Sequence, residues 1–160
     1  SPPRFRPLLS RRCWSCATSS ASPRRVPVRP LHSVCRSWRL LTDERDVQAL
    51  VLAPTRELAM QSAQAIEDFA ARTARLDVVP VYGGSPYGPQ IGALKRGAQV
   101  VVGTPGRVID LIEKGALDLS NVRMLVLDEA DEMLRMGLAE DVETIASSAP
   151  DDRLTALFRA

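Results

Sequence analysis

Several residue types that often reveal function are scarce in this sequence. Only 4% of the 160 residues are aromatic, and there is one histidine. No apolar run approaches the roughly 20 residues of a membrane-spanning helix, so we expect no membrane association. The three cysteines lie at positions 13, 16 and 35. Cys13 and Cys16 have C-x-x-C spacing, but no strand pattern precedes them and no fourth ligand is present, which disfavours a redox or zinc site.

Acidic residues and lysine are absent from the first 42 residues. That segment contains nine arginines and carries a charge of +9, whereas the rest of the chain carries −7, giving the total of +2. It also contains half of the twelve prolines and shows no helical or strand periodicity. This composition predicts a disordered segment over residues 1–42 and one folded domain over residues 43–160.

Residues 1–42 allow three interpretations, two of which treat the segment as native protein. An Arg-rich arm could bind nucleic acid through its phosphates. A segment rich in Arg and Ser and poor in acid also has the composition of an organelle transit peptide. The third interpretation is that the segment is translated out of frame, and it depends on motifs described below.

The folded part has its clearest signal in residues 122–133. Met124 to Leu127 form an apolar run typical of a strand buried on both faces, and the run ends in Asp128 and Glu129. Ligands bind at the carboxyl ends of strands in an open parallel sheet, so an acid here suits the Mg²⁺ position of a nucleotide site. A surface turn followed by an acidic helix start explains the same residues equally well.

Strand and helix patterns alternate between residues 46 and 158. Apolar runs predict strands at 46–53, 76–82, 99–103, 124–127 and 154–158. Start signals and periodicity predict helices from 55, at 88–96, from 104, at 130–135 and at 138–149. This alternation predicts an α/β fold, a parallel sheet with helices on both faces. We expect Met133, Leu134 and Met136 in the core.

Four short motifs follow the predicted strands. They are Pro54-Thr-Arg-Glu-Leu-Ala59, Gly83-Gly84, Thr104-Pro-Gly-Arg107 and Asp128-Glu-Ala-Asp131. Together they resemble the DEAD-box RNA helicase family over about residues 46–158, most of one RecA-like domain. The resemblance implies an incomplete P-loop NTPase fold, the first RecA-like domain of a helicase. It also implies RNA unwinding driven by ATP hydrolysis, with ATP and Mg²⁺ as cofactors, and a cytoplasmic location.

The resemblance assigns roles to individual residues. Asp128 would hold Mg²⁺ through water, Glu129 would orient the attacking water, and Asp131 would couple both to the next motif. The RNA backbone would contact Pro54, Thr55, Arg56, Gly83, Gly84, Thr104, Pro105, Gly106 and Arg107. Such contacts carry little sequence information. Taken alone, each RNA motif also fits an ordinary capped helix or a plain turn.

Two nucleotide-binding elements of the family, the Gln motif and a P-loop ending in Gly-Lys-Thr, are absent from the sequence as written. The neighbouring reading frame beneath Ser1 to Trp38 can encode both, in the family's order and spacing, when permitted codons are chosen. We therefore expect residues 1–42 to result from a frameshift, with the frame restored around residues 39–42. The nucleotide sequence of the gene tests this, since its codons must spell Gly-Lys-Thr in the alternative frame.

Without a P-loop the chain is expected to bind little or no ATP, because that loop cradles phosphates with backbone N–H groups and a lysine. Phe158-Arg159-Ala160 also stands where the family has Phe-Ser-Ala-Thr. We expect the second RecA-like domain of the family to be missing from this chain. We therefore expect this chain alone to lack helicase activity. The alternative is a non-enzymatic RNA-binding fragment that uses the same surface and the Arg-rich arm.

Overall fold

The computed structural model describes residues 41–42, 44–73 and 76–158 of the chain. The basic-arm, transit-peptide and frameshift interpretations all fall on the first 42 residues and lie almost wholly outside this range. Within it, the elements follow in the order β1 (Ala49–Leu52), α1 (Arg56–Thr73), β2 (Val78–Val81), α2 (Tyr87–Arg96), β3 (Val100–Gly103), α3 (Pro105–Glu113), β4 (Met124–Leu127), α4 (Ala130–Arg135), α5 (Ala139–Ser147) and β5 (Leu154–Leu157).

The five strands form one sheet in the order β2-β3-β1-β4-β5. Every neighbouring pair is parallel, so all five carboxyl ends lie along the same edge, which we call the carboxyl edge. The last residues of the strands align across the sheet, with Leu52 paired to Gly103 on one side and Leu127 on the other. The predicted parallel α/β sheet is therefore confirmed.

Apolar residues of β1 are buried on both faces of the sheet. Leu50 and Leu52 pack into a core cluster that includes residues of α3 and α5, among them Leu111 and Ile145. The alternate residues of β1 pack into a second cluster on the other face, with residues of α1 such as Ile66. Successive strand residues point to opposite faces, so the uninterrupted apolar run requires helices on both sides.

The amino end of β1 is tied down by Gln48, which is only 1% exposed. Its Oε1 atom accepts a hydrogen bond from the Thr42 backbone N–H at 2.8 Å. Its Nε2 atom donates to the backbone oxygens of Thr42 and Glu44, at 3.0 and 3.1 Å. A buried amide needs such partners, and here they fix the segment that leads into the sheet.

The α4 helix differs from the sequence-based prediction in its packing. Met133 is in the core at 2% exposure, as predicted, but Leu134 is 52% exposed and Met136 is 49% exposed. The prediction that these two residues are in the core is wrong. The helix has only six residues, so a single narrow face contacts the sheet. Leu134 lies about 100° around the helix from Met133, and Met136 is already the C-cap residue.

The two outer strands of the sheet are protected to different degrees. In β2, Val79 and Val81 are buried, and Pro80 occupies the edge position that proline tolerates. In β5 no residue is fully buried, and Leu157 is 44% exposed. Among the described residues, no helix has both the length and the apolar character needed to cross a bilayer.

Candidate nucleotide and RNA site

The predicted site residues all follow strand ends at the carboxyl edge. Backbone hydrogen bonds continue the sheet past these ends: Thr104 N–H donates to Val81 O at 3.1 Å, and Asp128 N–H donates to Leu52 O at 2.8 Å. The structure therefore brings the four motifs to one edge of the sheet, as the strand pattern indicated.

The order of strands sorts these motifs along the edge. Gly83-Gly84 follows β2, Thr104 follows β3 and Thr55 follows β1, so the three predicted RNA motifs occupy three adjacent strand ends. Asp128 follows β4, on the other side of β1. We call the ends of β2, β3 and β1 the RNA half of the edge, and the ends of β4 and β5 the acidic half.

Burial divides the predicted RNA-contacting residues into three groups. The exposed residues are Arg56, Gly83, Gly84 and Gly106. Thr55 and Thr104 are half-buried. The buried residues are Pro54, Pro105 and Arg107. The groups accessible to a ligand along this edge are therefore the glycine backbone, the two threonines at helix starts and the Arg56 side chain.

Thr55 and Arg56 are placed by the start of α1. The Thr55 Oγ1 atom accepts a hydrogen bond from Leu58 N–H at 3.3 Å, which is the expected N-cap contact. The Arg56 guanidinium carbon lies 5.0 Å from the centre of the Tyr82 ring. This contact brings the first residue of α1 against the chain that leads into Gly83 and Gly84.

Gly84 takes a backbone conformation that favours glycine, with φ at +76°. A β-carbon added here would lie 3.6 Å from an Arg56 guanidinium nitrogen, which is ordinary contact distance. Glycine at 84 is therefore explained by the backbone conformation, and the turn exposes its peptide groups at the carboxyl edge.

Arg107 belongs to the predicted RNA set, but its side chain turns into the protein. It is 8% exposed, and one guanidinium nitrogen donates to Ser85 O at 3.0 Å and to Gln90 Oε1 at 3.2 Å. The guanidinium carbon lies 4.0 Å from the centre of the Tyr87 ring. The structure thus gives Arg107 a set of intramolecular partners that the sequence motif did not reveal.

Ser62 is a site residue that the sequence motifs did not identify. Its Oγ atom donates to Asp128 Oδ2 at 2.8 Å, and the two residues are 1% and 6% exposed. Ser62 lies on α1, whose first turn carries Thr55 and Arg56. A polar residue on the inward face of a helix was the available signal, but it did not identify Asp128 as the partner.

Glu129 and Asp131, the other two residues predicted to be catalytic, differ in their backbone conformation and hydrogen bonding. Glu129 has φ at 53°, and it is the only non-glycine with positive φ among the described residues. Its backbone oxygen accepts hydrogen bonds from Glu132 and Met133 at the start of α4. Asp131 is half-buried, and its Oδ1 atom is buried without a hydrogen-bond partner among the described residues.

The residues at the acidic half fit one part of a magnesium–nucleotide site. Mg²⁺ in such sites is held by one or two carboxylates together with substrate phosphates and water, and Asp128 supplies a carboxylate at the strand end. Over the described ranges, no three His, Cys, Asp or Glu side chains gather as a self-sufficient metal site. The sequence as written contains no Gly-Lys-Thr loop, so it does not supply the phosphate cradle.

Comparison with known proteins gives consistent results. The DEAD/DEAH box helicase family model matches residues 29–160. ATP-dependent RNA helicase DeaD of Mycobacterium tuberculosis is 60% identical over 113 residues, which are 71% of this chain and 20% of that protein. DeaD of Escherichia coli is 58% identical over 113 residues, 71% of this chain and 18% of that protein. This chain therefore spans about a fifth of the length of these curated relatives.

Solved structures show the same relationship. A DEAD box protein from Methanococcus jannaschii superimposes with a TM-score of 0.74 at 44% identity, over 81% of this chain and 35% of that chain. A hypothetical ATP-dependent RNA helicase from Sulfolobus tokodaii gives 0.66 at 43% identity, over 71% and 34%. With four motifs at one edge of a parallel sheet and a family match over most of its length, the chain belongs to the DEAD/DEAH box helicase family.

Proposed function

We propose that this chain is part of the first RecA-like domain of an ATP-dependent RNA helicase and that its RNA half binds an RNA backbone. The observation that supports the proposal is the order of strand ends: the motifs at Gly83-Gly84, Thr104 and Thr55, which we propose contact RNA, follow adjacent strands, and Asp128 follows the next strand. Helix starts and glycine backbone present N–H groups, which suit phosphates. The binding surface reads no bases, so we expect little sequence preference.

In the intact helicase, ATP with Mg²⁺ would supply the phosphoryl chemistry that drives RNA unwinding. Asp128 would hold Mg²⁺ through water, Glu129 would orient the attacking water, and Asp131 would couple these residues to the following motif. Because the sequence as written lacks the Gly-Lys-Thr loop, we propose that this chain binds little or no ATP. The intact protein would act in the cytoplasm, with a second RecA-like domain completing its RNA site.

RNA binding is tested by fluorescence anisotropy with labelled single-stranded RNAs of different sequence across a salt series. Arg56→Met removes an exposed cation from the RNA half. We therefore expect the plot of log K against log salt to become shallower, with the magnitude of its slope reduced by about 0.7. Lys95→Met is the matched control, because Lys95 is exposed in the last turn of α2, near the opposite edge. Equal slopes for the two variants would contradict the proposed surface.

The enzymatic and non-enzymatic alternatives are separated by ATP turnover with Mg²⁺ and RNA. We expect no turnover above background for the chain as written. Measurable turnover that Asp128→Asn abolishes would show that the chain has a nucleotide site despite its missing loop. Deleting residues 1–42 tests the arm, because nine arginines that contact phosphates would make a large contribution to the salt slope.

A further inference from the structure

The loop that carries Gly83 and Gly84 is held on both sides of the glycine pair. On one side, Gln90 Nε2 donates to Tyr82 O at 3.1 Å. On the other side, Ser85 O accepts from the Arg107 guanidinium at 3.0 Å. The glycines between these two points are exposed. The loop is therefore anchored by its flanks and leaves its two glycines available to a ligand.

Arg107 and Gln90 join these two anchor points into one buried unit. Arg107 donates to Gln90 Oε1 at 3.2 Å, and the two residues are 8% and 6% exposed. The Arg107 guanidinium also stacks on Tyr87, whose hydroxyl donates to Asp110 Oδ2 at 2.8 Å. We call Arg107, Ser85, Tyr87 and Gln90 the Arg107 network.

We propose that Arg107 is a positioning residue that orients Gly83 and Gly84 for the RNA backbone and does not itself contact RNA. The inference rests on the proposed RNA-binding function and assigns a different role to one residue of that site. To reach a phosphate, the Arg107 guanidinium would have to give up its hydrogen bonds to Ser85 O and Gln90 Oε1. It would also lose its stacking on the Tyr87 ring, whose centre lies 4.0 Å from the guanidinium carbon. Leaving the buried Gln90 oxygen without its donor opposes that movement.

The chemistry of the network requires arginine and not only a positive charge. The planar guanidinium can stack on an aromatic ring and donate from its edge at the same time. A lysine ammonium is a point charge on a flexible stem and cannot reproduce both contacts. Arg107→Lys therefore distinguishes a direct phosphate contact, which tolerates lysine, from a positioning role, which does not.

RNA binding by Arg107→Lys and Gln90→Leu tests the proposal. Gln90→Leu alters no charge, yet it removes the Arg107 acceptor and the donor to Tyr82 O. We expect each variant to bind single-stranded RNA about tenfold more weakly, the size of effect given by one lost charge-assisted hydrogen bond. We expect the double variant to have about the same RNA affinity as the single variant that binds RNA less tightly, because both changes break the same network.

Lys114→Met is the matched control. Lys114 is exposed and lies 4.5 Å from the centre of the same Tyr87 ring, so its removal takes one cation from this region and leaves the Arg107 hydrogen bonds intact. We expect its RNA affinity to change less than about twofold. Near-normal binding by both Arg107→Lys and Gln90→Leu would overturn the proposal. So would normal binding by Gln90→Leu with a tenfold loss in Arg107→Met, which would mark a direct contact.

Backbone ¹⁵N relaxation tests the loop without RNA. We expect order parameters for Gly83 and Gly84 of about 0.85 in the unaltered chain and below about 0.6 in Arg107→Lys and Gln90→Leu. Unchanged order parameters would overturn the positioning role. Failure of the unaltered chain to bind RNA would instead refute the proposed function, whereas the relaxation data would still show whether the network orders the loop. Unchanged order parameters for α1 in each variant show that the fold is intact.

Discussion

The RNA half and the acidic half of the carboxyl edge differ in how well the described residues are packed and hydrogen-bonded. In the RNA half, the loop and helix starts are joined by the Arg107 network and by Arg56 against Tyr82. In the acidic half, α4 leaves Leu134 half exposed, β5 has no fully buried residue, and Asp131 Oδ1 has no hydrogen-bond partner within the described part of the chain. The described residues of the RNA half are therefore held largely by contacts within the protein, whereas the acidic half retains exposed apolar surface.

The acidic half is tested most strongly at α4. Met133→Ala should destabilise the chain by about 3 kcal/mol, because it removes a fully buried side chain and leaves a cavity. Leu134→Ala on the next residue should change the free energy of unfolding by less than about 0.5 kcal/mol, since Leu134 is 52% exposed. Urea unfolding measures both. Similar losses at the two positions would mean that α4 contacts the core through a wider face than the structure shows.

The RNA half is tested by adding a single methyl group. A β-carbon at Gly103 would lie 2.4 Å from a Val81 methyl carbon and 2.7 Å from Val81 O, so Gly103→Ala should cost about 2 to 3 kcal/mol. Gly106→Ala is the matched control, because a β-carbon there meets no atom within 4 Å. We expect its melting temperature to stay close to that of the unaltered chain. A mild effect at Gly103 would show that this half of the sheet is looser than the structure indicates.

The junction between the halves depends on the hydrogen bond from Ser62 to Asp128. Ser62→Ala removes a buried donor to a carboxylate and should cost about 1 to 2 kcal/mol. Ser148→Ala serves as the control, because that hydroxyl donates to a backbone oxygen on an exposed helix end and should matter by less than about 0.5 kcal/mol. Chemical denaturation compares the two. Equal small effects would indicate that α1 and Asp128 are not coupled.

The turn at Asp118 and Ser120 lies outside both halves, and we expect the smallest effect on stability there. The backbone N–H of Ser120 donates to Asp118 at 2.9 Å and lowers the pKa of that exposed carboxyl. The bond therefore stabilises the fold above the unfolded pKa of about 3.9, and this stability is lost as the pH falls through the folded value. Asp118→Asn should cost below about 0.5 kcal/mol at pH 6 after solvent screening, and progressively less as the pH falls below about 3.9. A difference that does not vary with pH would contradict this assignment.

The three central strands, β1, β3 and β4, were predictable because their apolar runs are buried on both faces of the sheet. The sequence pattern located β4 and the bounds of α4, and it placed all four motifs at strand ends. It extended several strands by one to three residues at an end. At two of these ends, buried glutamines precede the strand, and their side chains bond to the segments that lead into the sheet: Gln48 Nε2 donates to Thr42 O, and Gln99 Oε1 accepts from Asp77 N–H.

Site residues were predictable from the sequence only where a local pattern of neighbouring residues identifies them. Asp128 could be placed because an acid ends an apolar run. The partners of Arg107 could not be found this way, because Gln90 lies on a different helix and its burial depends on how α2 packs against β2. The error at Leu134 has the same origin, since hydrophobicity does not show which side of a short helix contacts the sheet.

The left-handed backbone at Glu129 has a consequence for how the chain would respond to substitution. Residues with a β-carbon are generally disfavoured in this conformation by about 1 kcal/mol relative to glycine, so the backbone conformation by itself favours glycine at 129. A carboxylate at this position thus opposes the local conformational preference of the polypeptide. Selection therefore tests the role proposed for Glu129: libraries of an intact helicase sorted for ATP turnover should retain glutamate at 129, whereas libraries sorted for thermal tolerance alone should accept glycine there.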